Sequence, residues 1–231
     1  MDTAALPLHR MLPRLPLFDG MSAAALERLT AGATWVNAPS RTVIFKQGDA
    51  SRGVYIVVSG QVKLALQGAQ GAEQVVELVG PGGVFGEIAL FLNGPHIVMA
   101  EPLADTQLVH IVKANVLAEL ERSPEFMRGM VAILSRRLQH LLNALENCTL
   151  RSGTERVIDY LLNRLPPGAV NGHAILTLPA KKGIIASQLN LTHEHFSRLL
   201  RELVTEALIE VEGRRVRILD VDRLRAYCLE P

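Results

Sequence analysis

A heptad pattern between residues 123 and 148 is the feature that most constrains the fold. Apolar residues recur there at alternating steps of four and three, the spacing that lets two helices wind around each other. Ser123 and Pro124 supply an N-cap and a proline at the first helical position. The pattern therefore predicts one long helix that pairs with a second copy of the chain; a helix buried within a monomer is the alternative. The predicted seam consists of Met127, Val131, Leu134, Leu138, Leu141, Leu145 and Cys148.

A second apolar row, formed by Phe126, Met130, Ile133 and Leu142, lies beside this seam and is expected to hold the helix against its own domain. Arg136 and Arg137 flank the seam, which favours a dimer axis over burial. For Cys148, a buried reduced thiol is expected rather than a cross-link to the second copy.

Composition sets broader limits. A chain of 231 residues predicts one or two domains, and its net charge of +1 says nothing about nucleic acid. Residues 150–231 carry 12 basic against 10 acidic residues, whereas residues 1–122 carry 9 against 11, so the C-terminal part is expected to meet phosphates. Two cysteines without a metal motif predict a reduced, cytoplasmic setting. No apolar run is long enough to predict a membrane span.

The N-terminal half has a sequence pattern typical of short strands separated by glycine-containing turns. Candidate strands cover residues 42–45, 54–58, 61–66, 74–79 and 107–112. Close spacing of short strands predicts a small antiparallel barrel or sandwich, which either encloses one small ligand or is filled by side chains. Residues 83–91 interrupt the strands: Gly86 and Glu87 open a short helical turn that suits an anion, although a plain glycine loop fits equally well.

The C-terminal half is predicted to contain helices and a hairpin. An amphipathic helix at 153–165 and a strand at 174–178 precede two short helices, 181–189 and 193–205, which are joined by a tight turn. Thr192 is a suitable N-cap for the second of these helices. A hairpin over 209–218, with its turn at Glu212 and Gly213, follows. This order indicates a helix-turn-helix with a wing, a fold that presents its second helix to the major groove of DNA.

The second helix carries side chains that can read bases. Glu194, Ser197, Arg198 and Arg201 recur at steps of three and four and share one face. Arg198 can donate to guanine, and Glu194 can accept from cytosine. Lys181, Lys182, Arg214 and Arg215 are placed for phosphate contact. Any one of these residues alone could belong to a solvated face. His193 and His195 are two residues apart on a helix, so they are not expected to form a metal pair.

Together these motifs resemble the CRP/FNR family of transcription regulators. The resemblance rests on residues 48–49, 55–63, 85–90 and 194–198 and extends over nearly the whole chain. It implies an α+β homodimer with an N-terminal cyclic-nucleotide-binding-type β-barrel (jelly roll) over 1–122, a dimerisation helix over 123–149 and a winged helix-turn-helix over 150–231. Double-stranded DNA and RNA polymerase are the implied partners. An enzyme is not expected, because the sequence shows no nucleophile–base pair or metal motif.

Position by position, Glu194, Ser197 and Arg198 match the Glu-x-x-Ser-Arg motif of the FNR-type recognition helix. This match implies half-sites similar to TTGAT and its inverted repeat. Asn190 stands where many members have glycine in the turn, and asparagine tolerates the left-handed conformation that such a turn requires.

The implied effector pocket comprises Phe85, Gly86, Glu87, Ile88, Ala89, His96 and Ile97. Members that respond to cyclic AMP have an arginine followed by serine or threonine where this chain has His96 and Ile97. Because histidine is mostly neutral near pH 7 and isoleucine has no hydroxyl, a cyclic nucleotide is disfavoured. The chain also lacks the cysteine cluster of the iron–sulfur branch.

The remaining resemblance is to the dissimilatory nitrate respiration regulators, thought to sense nitric oxide through haem. His9, His96 and His110 are then the candidate axial ligands, with Met99 near one of them and His96 favoured. A cyclic-nucleotide-dependent activator is the alternative.

Overall fold

The computed structural model describes residues 12–68, 71–165 and 172–227. His9, Cys228 and the side chain of Cys148 lie outside this description. The chain forms two compact units whose boundary falls between Gln139 and His140. The α+β class expected from the sequence is confirmed. The division at residues 122 and 149 stays a prediction. In the described part of the chain, no helix is long and apolar enough to cross a membrane.

The N-terminal unit is built from two antiparallel sheets. After two 3-10 turns, Leu12–Arg14 and Pro16–Phe18, come α1 (Ala23–Thr30), β1 (Thr34–Ala38), β2 (Gly53–Ser59), β3 (Val62–Gln67), β4 (Glu73–Val79), β5 (Val84–Phe85), α2 (Glu87–Phe91), β6 (Met99–Pro102), β7 (Thr106–Val112), α3 (Lys113–Arg122) and α4 (Pro124–Leu150). One sheet has the strand order β1-β7-β2-β5 and the other has the order β4-β3-β6. The sandwich or barrel expected from the glycine-punctuated pattern is therefore present.

The four-stranded sheet buries side chains on both of its faces. Val54, Ile56 and Val109 point to one face, where they pack with side chains of the helices, among them Phe126 and Met130 of α4. Alternate residues point to the opposite face and meet β3 and β6 in a second cluster. That second cluster contains Val57, Leu108, Phe85, Phe45, Val62, Leu64 and Ala100. The two sheets together form a β-roll, and its interior is thus a packed apolar core.

Four predicted strands are confirmed to within two residues, as β2, β3, β4 and β7. The prediction of a strand over 42–45 is wrong. Arg41, immediately before this segment, takes a left-handed conformation with φ of 66°, and within the segment only Phe45 forms a bridge, to Ala100. A left-handed residue interrupts extended geometry, and the segment lies beside β6 without forming a regular strand. The strands β1 and β6 and the helix α3 were not predicted.

The long helix α4 confirms the predicted element, with an end two residues later than the heptad pattern suggests. The Ser123 hydroxyl caps it by accepting from the Phe126 amide at 3.3 Å. The second apolar row is confirmed for Phe126 and Met130, which are buried, and for Ile133, which packs against them. The expectation for Leu142 is wrong, because its side chain is 57% exposed in the part of α4 that follows the N-terminal unit.

The C-terminal unit contains α5 (Gly153–Leu162), β8 (Ala174–Thr177), α6 (Lys182–Gln188), α7 (His193–Thr205), β9 (Ile209–Glu212), β10 (Arg215–Ile218) and α8 (Val221–Ala226). Its sheet has the strand order β8-β10-β9. The two predicted short helices and the wing hairpin are confirmed. The turn of the hairpin falls at Gly213 and Arg214, one residue later than predicted.

Candidate nucleic-acid interface and sensor pocket

Helix α7 is held in the C-terminal unit by one fully apolar face. Phe196, Leu199, Leu200 and Leu203 of this helix are buried, and they pack with Ile185 and Ala186 of α6 in the same interior. Thr192 is its N-cap, as predicted: its hydroxyl accepts from the His195 amide at 3.1 Å. Burying so much of one side fixes which side of α7 faces outward.

The exposed side of α7 carries the predicted base-reading residues. Glu194, Arg198 and Arg201 are exposed and Ser197 is half-buried, so the structure brings all four to one surface. The Arg198 guanidinium lies 3.7 Å from the Glu202 carboxylate one helical turn later. Arg201 donates to the Ser197 carbonyl at 3.3 Å. Arg198 therefore has a weak local partner that a guanine would have to replace.

The predicted phosphate contacts lie on elements of the same unit. Lys181 immediately precedes α6 and is exposed, and Lys182 is its first residue. Arg214 lies in the wing turn and Arg215 begins β10, both with exposed side chains. Arg217, the next outward residue of β10, pairs with Glu210 across the hairpin at 3.2 Å. His193 and His195 pack towards different neighbours, Gly183 and Gly153, as expected of residues two apart on a helix.

In the N-terminal unit, the interior of the β-roll beside α2 is filled by aromatic rings. The His96 ring stacks on Phe45 with their centroids 3.6 Å apart, and Phe45 contacts Tyr55 and Phe85 at 5.9 Å each. His110, the cross-strand neighbour of Tyr55, extends the cluster at 4.7 Å. Three of the predicted pocket or ligand residues, Phe85, His96 and His110, thus belong to one cluster.

Burial alters the protonation of both histidines. It lowers the pKa of His96 below its ordinary value, and the nearby charge of Asp49 opposes this shift only in part. Burial also lowers the pKa of His110, whose Nε2 atom has no hydrogen-bond partner among the described residues. The lowered pKa values favour the neutral form of both rings at pH 7. Ile97, by contrast, is 49% exposed.

Glu87 lies at the start of α2 and is completely buried. Its partner is Arg137 of α4, whose Nη1 pairs with a Glu87 oxygen. The same guanidinium donates from Nε to Glu77 at 2.8 Å and from Nη2 to the Val84 carbonyl at 3.1 Å. The arginine side chain is itself only 10% exposed. One side chain of the long helix thus closes the acidic end of the implied pocket.

Next to the ion pair of Glu87 with Arg137, the backbone at Gly86 approaches a neighbouring strand closely. Gly86, the N-cap residue of α2, has a φ of 90°, and a Cβ there would lie 3.1 Å from the Gly53 carbonyl. Glycine is therefore required at position 86 by both conformation and space. Ala89 is buried and Ile88 half-buried behind it.

The predicted seam of α4 faces solvent in the single chain. Met127, Val131, Leu138, Leu141 and Leu145 are 42–60% exposed, and Leu134 is half-buried. A row of large apolar side chains left outside the core marks a surface for association.

Comparison with known proteins agrees with these two units. Residues 35–123 match the cyclic nucleotide-binding domain and residues 155–227 match the Crp-like helix-turn-helix domain. The nitrogen fixation regulation protein FixK of Rhizobium meliloti is 30% identical over 186 residues, covering 80% of this chain and 82% of FixK. The chain belongs to the CRP/FNR family of transcription regulators.

Two further CRP/FNR proteins extend the similarity. The CRP-like cAMP-activated global transcriptional regulator of Mycobacterium tuberculosis is 26% identical over 219 residues, covering 94% of this chain and 98% of its own. The solved structure of FixK2 from Bradyrhizobium japonicum superposes with a TM-score of 0.73 at 24% identity, covering 84% of this chain and 96% of that one, and so supports the fold. The protein is a DNA-binding transcription regulator.

Within this CRP/FNR regulator, sequence reasoning missed the inward role of Arg137. The heptad spacing places Arg137 beside Arg136 on the flank of the seam, yet its guanidinium enters the N-terminal unit and meets Glu87 and Glu77. Its position two turns after the buried Met130 could have suggested an inward direction. The identity of its partners, 50 and 60 residues away in the chain, could not be read from spacing.

Proposed function

We propose that the protein acts as a homodimer that binds palindromic DNA with half-sites similar to TTGAT and its inverted repeat. The observation that carries the proposal is the exposed surface of α7, where Glu194, Ser197 and Arg198 are presented by a helix whose opposite side is entirely buried. A buried side prevents the helix from rotating, so these three side chains have a defined direction towards base edges.

Pairing of two chains is supported by the exposed seam of α4. Single apolar residues are common on protein surfaces, but a heptad series of them on a helix of 27 residues is the surface of a coiled coil. A two-fold axis along this helix would present two copies of α7 related by the same symmetry as a palindrome.

The DNA-binding part of the proposal is tested by Arg198→Ala. We expect a loss of about 1–3 kcal/mol on a duplex carrying the inverted repeat, concentrated at one guanine, measured by fluorescence anisotropy at fixed salt. Arg225→Ala, which removes a charge from α8 without touching α7, is the matched control. Equal affinity of the unaltered protein for a scrambled duplex would refute the half-site assignment.

Dimerisation is tested by Leu138→Asp, which places a carboxylate in the seam. We expect the mass measured by analytical ultracentrifugation to fall from two chains to one at micromolar concentration. Asn143→Asp introduces the same group on the opposite side of α4 and should leave the mass unchanged. A single-chain mass for the unaltered protein, with and without DNA, would overturn the proposal.

For the effector, the geometry disfavours cyclic nucleotide recognition at positions 96 and 97. His96 is stacked and neutral, and Ile97 offers no hydrogen bond, so these positions supply neither a permanent cation nor a hydroxyl. Calorimetric titration with cyclic AMP and cyclic GMP tests this, because micromolar binding heat would restore the cyclic-nucleotide alternative.

Nitric oxide sensing through haem stays a prediction from the resemblance. The residues around His96 do not fit a haem in the packing seen here, because the imidazole is only 4% exposed inside the aromatic cluster and a porphyrin could reach its nitrogens only if that cluster opened. The unpaired Nε2 of His110 is likewise enclosed, since it lies against Gly53. An absorption spectrum with added haem, before and after nitric oxide, tests whether a specific Soret band forms. RNA polymerase remains the second expected macromolecular partner.

A further inference from the structure

The turn that precedes the recognition helix is held by a side chain from outside the helix-turn-helix. Arg156 of α5 donates from one nitrogen, Nη1, to the carbonyl of Leu189 at 2.8 Å and to the carbonyl of Asn190 at 3.2 Å. Its Nε also reaches back to the Ser152 carbonyl at 3.4 Å. The side chain is therefore stretched from the first turn of α5 to the end of α6.

These two carbonyls need a partner for a structural reason. At the end of α6 the Leu191 amide bonds to Ala186 at 2.8 Å and the Asn190 amide to Ser187 at 3.0 Å, the paired bonds of a Schellman turn. Asn190 supplies the left-handed residue, with a φ of 54°. That motif satisfies carbonyls within α6 but leaves those of Leu189 and Asn190 pointing outward, where the negative end of the helix dipole favours a cation.

The start of α5 also lies directly against α7. A Cβ at Gly153 would be 3.1 Å from Leu199 Cδ1 and 3.2 Å from His195 Cε1, so the two helices approach as closely as glycine allows. Ser152 fixes this end of α5 with a capping box, in which Ser152 and Glu155 bond to each other's backbone. Arg156 thus projects from a rigid first turn towards the turn before Thr192.

We propose that Arg156 is a positioning residue for DNA recognition, setting the direction from which α7 presents Glu194, Ser197 and Arg198. The N-cap Thr192 follows Asn190 by two residues, so a shift of the turn carries the start of α7 with it. The proposal rests on the DNA-binding function. In this role Arg156 raises the ratio of specific to non-specific DNA affinity and does not contact phosphate.

A phosphate contact and a positioning contact by Arg156 give different results in a salt titration of DNA affinity. Loss of a phosphate contact lowers affinity for every sequence and reduces the slope of log K against log salt by about 1. Loss of a positioning contact lowers affinity for the specific duplex alone and leaves the slope unchanged. It also reduces the difference between the intact duplex and one in which the half-site guanine is replaced.

The experiment compares Arg156→Met with the unaltered protein on the inverted-repeat duplex and on a scrambled duplex of equal length. We expect specific affinity to fall about ten-fold, with non-specific affinity and salt slope unchanged. Arg156→Lys, which keeps a cationic donor, should recover part of the loss, and Arg225→Met controls for removal of one charge. An equal loss on both duplexes with a smaller slope, or no loss on either, would overturn the proposal.

Hydrogen exchange on the protein without DNA gives a second, independent readout. In Arg156→Met, amides of residues 189–195 should exchange faster, while those of the wing strands β9 and β10 keep their protection. Unchanged exchange at 189–195 would refute the positioning role. If the unaltered protein fails to distinguish the two duplexes, the half-site assignment fails, and this exchange measurement still decides the role of Arg156.

Discussion

Replacing Arg137 by methionine should destabilise the N-terminal unit by about 3–5 kcal/mol, the usual effect of removing one member of a buried ion pair. The figure follows from the site: Glu87 is fully buried and would be left without a counter-charge. Glu77 contributes less, because its side chain is 28% exposed and water can solvate it. Methionine keeps most of the length and packing of the arginine stem.

The test is urea denaturation followed by the fluorescence of Trp35, the only tryptophan of the chain, which lies on β1 and reports on the N-terminal unit alone. Protein concentration is held constant, because a dimer's apparent stability depends on it. Arg136→Met is the matched control: its side chain is exposed, so its removal should change stability by less than about 0.5 kcal/mol.

A double variant, Arg137→Met with Glu87→Gln, separates loss of attraction from the cost of an unpaired charge. Glutamine removes the buried carboxylate, so the double variant should be more stable than Arg137→Met alone by at least about 1 kcal/mol. A loss below about 1 kcal/mol in the single variant, or no recovery in the double variant, would refute the reasoning that this ion pair holds α4 against the β-roll.

Three further outcomes are expected. Glu202→Gln should raise affinity for the inverted-repeat duplex about two-fold, since it frees Arg198 from an exposed ion pair; weaker binding in an anisotropy titration would contradict this. Thr192→Val should cost about 0.5–2 kcal/mol of stability in the C-terminal unit, because the His195 amide loses its cap; calorimetry of the full chain measures it, and an unchanged transition would argue against the cap. Stability of the N-terminal unit should fall on acidification, because burial lowers the pKa of His96 and His110 below the ordinary 6.5. As the pH drops through 6.5, the unfolded chain binds more protons than the folded chain does. Full stability is therefore present only above about pH 6.5. Urea midpoints between about pH 7.5 and 5.5 should decline less when both histidines are replaced by phenylalanine.

Local signals were the ones that sequence reasoning interpreted correctly. The caps at Ser123 and Thr192 depend on residues three positions apart, and each hydroxyl accepts the expected amide. The left-handed conformation of Asn190 follows from the position of the turn in the same way. Such features are determined within a few residues, so spacing alone is enough to predict them.

Contacts between distant segments were not predictable in this way. Arg137 belongs by spacing to the flank of the seam, but its direction is decided by two carboxylates on other elements. The strand β1 was missed because its burial does not alternate, and the loop over 42–45 was predicted as a strand because its apolar residues pair with β6 at one point only. The packing of His96 on Phe45, and so the burial of this candidate haem ligand, likewise depends on tertiary contacts.

The exposed seam of α4 has a consequence for cells that carry two versions of this gene product. Under the proposed pairing of two chains, a chain with an altered Arg198 would keep its apolar row intact and pair with unaltered chains. At equal amounts and with random pairing, about a quarter of the pairs would carry two sound copies of α7. A fault confined to the recognition helix should therefore act dominantly, whereas a fault in the seam itself should be recessive.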